Sequence, residues 1–264
     1  MANDMEDQYG LSAFPKEEEY EKLNKMWAGM DELSKRGISG KDTCGKKKFG
    51  FLLGAVSSMR KIPGINRLIA IDELYLCKNE EEKKEVLAYL NKLFGIYDYQ
   101  TLIEHCNAQF DCGDNYEQFL KFWGGKAKYN LDGLKPEARR LFEGCMEYAA
   151  IFKDYVGTGG FYAWDCSEKI GVLKLAYACG IVEEEDFHDL VGGMMERVLS
   201  LYSSWKEYAT GLICGASYFM YKRSNLNVLE GKKMFDLTYN IVQSLFLNDK
   251  INVWCRYQWL KAYK

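Results

Sequence analysis

The chain has 264 residues, a formal net charge of −3, 48% apolar residues and 28% charged residues. That length buries a core without staples and that composition is globular, which excludes a disordered chain. The charge gives no electrostatic reason to expect nucleic acid or an anionic membrane as a partner.

The first seven residues, Met1-Ala2-Asn3-Asp4-Met5-Glu6-Asp7, are acidic with no apolar core, so they do not read as a secretory signal. Residues 1–13 are expected as a disordered tail, and residues 14–264 as one helical domain. From Pro15 a helix opens on Glu17, Glu18 and Glu19, where acids suit the positive end of the helix dipole. Leu23, Met26, Trp27, Met30 and Leu33 then form a stripe at helical spacing, and the helix stops at Gly37-Ile38.

The same stop returns twice, at Gly95-Ile96 and at Gly180-Ile181. In each case glycine supplies the left-handed turn and the isoleucine folds back on the last helical turn. Helices reopen at Asp98 and at Glu183-Glu184-Glu185-Asp186. Asn79 with Glu82, Asp114 with Glu117, and Ser204 with Glu207 have the three-residue spacing of a capping box. Breaks fall at residues 61–64, 124–133, 157–160 and 224–227. The expectation is an all-α fold of about ten helices in two lobes, about 14–123 and about 134–264. Short strands are allowed only near residues 62–68, and Gly157-Thr158-Gly159-Gly160 reads as a flexible connector.

Nine cysteines, an odd number without any CxxC pair, read as free thiols in a reducing cytoplasm. The longest apolar run, residues 211–220, is too short to span a bilayer. The expected setting is therefore soluble and cytoplasmic.

The most informative stretch begins Phe161-Tyr162-Ala163-Trp164-Asp165-Cys166-Ser167-Glu168-Lys169 and runs through Tyr177-Ala178-Cys179-Gly180-Ile181. An acidic helix opening follows, and then Ser203-Ser204-Trp205-Lys206-Glu207-Tyr208-Ala209-Thr210-Gly211. This order resembles the DUF1266 family, a group of mostly bacterial proteins without an assigned biochemical activity. The resemblance covers residues 161–221 and thins to a general likeness over 87–122. The family often places Arg three residues after the Asp, where this chain has Glu168. Lys169, at i+4 from Asp165, is the substitute partner on the helix surface.

By periodicity the helix starting near Trp164 is apolar on two faces, which places it at the centre of the core. The later helix carries Gly211 and Gly215 one turn apart, so a neighbour can approach closely, and the two helices are expected to pack together.

The candidate catalytic residues are Asp165 and Glu168; the candidate ligand-binding residues are Trp164, Trp205 and Tyr208. An Asp at a helix start under a Trp is either a desolvated acid or a stabiliser of the helix N-terminus. With only His105 and His188 in the chain, and with Cys106 and Cys112 lacking zinc spacing, no metal and no cofactor is expected. The acids before His188 suit a solvated helix opening, as does the one basic run, Lys41, Lys46, Lys47, Lys48, Arg60 and Lys61. No nucleophile motif is present. The expected function is a non-enzymatic protein-interaction module with another protein as partner. The alternative is an enzyme or small-molecule binder using a carboxylate cleft near Trp164 and Asp165.

Overall fold

The computed structural model describes residues 8–37, 40–60 and 70–261. Ile38, Lys61 and the short strands allowed at 62–68 lie outside the described residues. Within them the chain is all helical, with no strand, and a single isolated bridge joins Asp42 to Tyr257.

The helices are α1 (Lys16–Lys35), α2 (Lys46–Leu53), α3 (Ala55–Met59), α4 (Glu80–Phe94), α5 (Tyr99–Asn107), α6 (Asp111–Trp123) and α7 (Pro136–Ala150). They continue as α8 (Lys153–Val156), α9 (Tyr162–Ala178), α10 (Glu184–Leu201), α11 (Trp205–Arg223), α12 (Val228–Leu247) and α13 (Val253–Arg256). None of these helices is long and apolar enough to cross a membrane.

The local signals work as chemistry requires. Gly37, Gly95 and Gly180 all have positive φ. At the latter two, the N–H of Ile96 donates to Leu90 and that of Ile181 to Ala176, closing the helix ends. Asp98 and Thr101 cap α5 reciprocally, and Ser204 accepts from the Glu207 N–H at the start of α11. Two expectations shift. Asp114 is not a cap: α6 starts three residues earlier at Asp111, and Asp114 reaches back to the Phe110 N–H from inside the first turn. Residues 8–13, expected within a disordered tail, are packed. Tyr9 is buried, Leu11–Ala13 forms one 3-10 turn, and Phe14 meets Tyr148, Phe152 and Phe235 edge-on.

The connector at 157–160 is likewise pinned. Tyr202 donates its hydroxyl to the Gly159 and Gly160 carbonyls and accepts from the Ala163 N–H. A Cβ on Gly160, whose φ is +55, would stand 2.3 Å from the Tyr116 ring. Glycine is needed here for close approach and for its backbone conformation.

α9 is the central element. Fifteen of its seventeen residues are buried, so it has no solvated face. It is surrounded by α2 to α6 from the first half of the chain and by α10 and α11 from the second. α11 crosses it where Gly215 sits on Trp164 and Phe161. A Cβ at Gly215 would lie 2.7 Å from the Trp164 Cβ, and neither atom can swing away. Gly215→Ala is therefore expected to cost about 1–3 kcal/mol by forcing α9 and α11 apart, read as a lower midpoint in urea unfolding with an unchanged slope.

Candidate functional site

A helix buried on every side must satisfy each polar side chain it carries inside the protein. α9 carries four charged residues, and each is bonded to a different neighbour.

Asp165, from the first turn of α9, does not cap its own helix. Its Oδ1 accepts the Cys112 N–H at 3.3 Å and its Oδ2 the Gly113 N–H at 2.8 Å. These are free amides of the first turn of α6, whose own N-cap residue, Phe110, offers no side-chain acceptor. Asp165 is thus an N-cap supplied by another helix. Four residues on, Lys169 donates from Nζ to the carbonyls of Cys106 and Ala108 at the C-terminal end of α5. An acid on the positive end of α6 and a cation on the negative end of α5 hold the α5–α6 corner against α9. Lys169 is therefore not simply the surface partner of Asp165 that its spacing suggested.

Glu168 lies on another side of α9. It takes a two-pronged contact from the Arg60 guanidinium, one N–H at 2.9 Å, and accepts from Ser57 Oγ at 2.7 Å. The guanidinium also stacks 4.6 Å from the Trp164 ring. An arginine thus does reach this part of α9, although it comes from the chain segment after α3. The cavity beside Glu168 measures about 40 Å³, room for a water or two. Lys174, almost wholly buried, donates to Ser58 Oγ and to the carbonyls of Ala70 and Ile71. Burial pulls its ammonium down to about 7.

The three aromatic candidates are core residues. Trp164 is 1% exposed and Tyr208 0%. Tyr208 donates its hydroxyl to the Leu53 carbonyl at 2.8 Å. Trp205 stacks on Trp254 and donates Nε1 to the Tyr257 carbonyl. The five candidates thus do not converge on one cleft: Asp165 faces α6, Glu168 faces Arg60, and Trp205 and Tyr208 belong to the cluster under α13. Among the described residues, no group of three or more His, Cys, Asp or Glu side chains is placed to hold a metal ion. All nine cysteines are free thiols.

A larger concavity lies elsewhere. A groove of about 500 Å³ runs along α10, floored by Val191, Gly192, Met195 and Leu199. Lys46 and Lys47, at the start of α2, form one wall, and Leu260 closes another side. His188 stands at its head, against the rings of Phe51 and Phe187, and burial pushes its imidazole below the usual value. The sequence carried a sign of this groove that the motif reading passed over: two adjacent glycines, Gly192-Gly193, inside a helical pattern.

An all-helical domain with a saturated polar hub and, among the described residues, a groove along α10 is the class that fold and geometry define. Within it the chain belongs to a described family: the family model named "Protein of unknown function (DUF1266)" matches residues 89–259. No curated protein and no solved structure matches it.

The burial of Asp165 has a pH signature. Burial outweighs its two N–H donors and raises the carboxyl from 3.8 to about 7. The folded chain then keeps a proton that the unfolded chain releases, so this contribution is complete below about pH 4 and is lost as pH rises through 7. Asp165→Asn removes the titration. Between pH 5 and 8 the unfolding midpoint of the native chain is expected to fall relative to that of the variant; parallel profiles would contradict the raised carboxyl.

Proposed function

We propose that this protein is a non-enzymatic interaction module that docks a helix of another protein in the groove along α10. One observation carries the reading. Every other glycine inside a described helix, from Gly29 to Gly231, has a neighbouring atom within 3.2 Å of where a Cβ would stand. Gly192 and Gly193 have nothing within 4 Å. A helical glycine costs about 0.5–1 kcal/mol relative to alanine, and this fold uses such glycines for close packing everywhere else. At Gly192 the open space faces the groove, where the backbone of a partner would fit.

The state of the carboxylates supports the same side. Both oxygens of Asp165 are engaged by amides, and Glu168 is engaged by Arg60 and Ser57 beside a cavity of water size. A carboxylate enzyme at Trp164 and Asp165 would need these groups free and a substrate-sized space next to them. The setting implied by the family resemblance, a bacterial cytoplasm, is part of this proposal.

Gly192→Leu tests it. The side chain enters open space, so the folded chain is expected to be as stable as the native one or more so. Tagged native and variant chains would be used to capture proteins from lysate of the source organism, with quantification by mass spectrometry. The expected result is at least one protein whose capture falls about tenfold or more with the variant. Identical capture profiles would overturn the reading.

A further inference from the structure

We propose that the helix docked in the α10 groove is basic, with apolar anchors on one face and Lys or Arg residues along its flank. The inference rests on the docking reading of the groove and adds the chemistry of the partner.

The groove follows α10 from His188 to Ser200. At 1.5 Å per residue that is about 18 Å, or about three turns of a partner helix. Its floor presents Val191, Met195 and Leu199 at intervals of four residues, the spacing that receives i, i+3, i+4 and i+7 anchors from an amphipathic helix. Methionine adapts to the shape of what packs on it. Gly192 lets the partner backbone approach between these side chains.

The rim decides the charge. Glu185 and Asp189 edge the hollow that adjoins the head of the groove, and Glu196 lines the groove itself. All three are exposed, and among the described residues none has an ion pair or a side-chain hydrogen bond. The cations facing them come from α2. Lys47 is 3.7 Å from Glu184 and so already has a carboxylate near it; Lys46 also has a partner of its own. His188 adds no cation at neutral pH, because burial and Lys47 both depress its protonation. The segment from Leu260 contributes only an apolar contact. Glu196 in the groove, with Glu185 and Asp189 in the hollow at its head, is left for the partner, which rewards positive charge on the flank of the incoming helix.

The test uses the full chain and a displayed library of random 16-residue peptides, selected on the native protein and counter-selected on Gly192→Leu. Gly192-dependent clones are expected to carry net positive charge and apolar residues at i, i+3 or i+4, and i+7. In fluorescence anisotropy their affinity is expected to fall about tenfold or more for the double variant Asp189→Lys, Glu196→Lys, and to weaken with added salt. Gly192-dependent clones that are acidic or uncharged would overturn the basic partner while leaving the docking reading standing. A Gly192-dependent dimer of the chain in sedimentation, or a Gly192-dependent thermal shift by dodecanoate, would assign the groove to a different occupant and overturn the proposal. An absence of Gly192-dependent clones, together with unchanged lysate capture, would overturn the docking reading itself.

Discussion

The near-complete burial of α9 is the constraint on which the rest of the structure depends. A helix at the surface can leave its charges in water; α9 cannot, and an unpaired buried polar group costs several kcal/mol. Its four charged residues therefore dictate where its neighbours stand. Asp165 requires the free amides of α6, Lys169 the free carbonyls of α5, Lys174 the carbonyls of Ala70 and Ile71, and Glu168 the guanidinium of Arg60. Two of these demands meet groups that also need partners, because helix ends always leave amides and carbonyls unsatisfied. The pairing is mutual, and it fixes orientation in a way that apolar contact alone does not.

This arrangement recasts the departure at Glu168. The resemblance leads one to expect an Arg at this position of α9, on the side toward the segment after α3. Here the sign is reversed on α9, and the arginine is supplied by position 60. The same guanidinium both pairs with Glu168 and stacks on Trp164. The pair is only partly exposed, so its attraction is less screened than that of a surface pair. Its role in the fold is to attach the end of α3 to the middle of α9.

Features set by neighbours in sequence were legible; features set by neighbours in space were not. The glycine stops at Gly95 and Gly180, the caps at Asp98 and Ser204, the central place of the Trp164 helix and its approach to Gly215 all follow from short-range patterns. The partner of Asp165 lies more than fifty residues away, and no local spacing points to the α6 amides. The start of α6 was misplaced for the same reason: Asp114 looks like a cap until Asp165 takes that duty. The glycines at 157–160 read as slack because the ring that pins them, Tyr202, stands more than forty residues downstream.

The groove stands in contrast to the hub. Around α9 every polar atom named above has found its counterpart and every close glycine is filled, which is what a finished interior looks like. Along α10 the reverse holds: adjacent helical glycines face open space, apolar side chains line a hollow, and rim carboxylates go unpaired among the described residues. Sequences agree with their folds at most positions and break local rules chiefly where function demands it. By that criterion the contacts of Trp164 and Asp165 have an account in folding. The glycine pair of α10 has no such account, since nothing packs within 4 Å of either position, and the docking proposal rests on that difference.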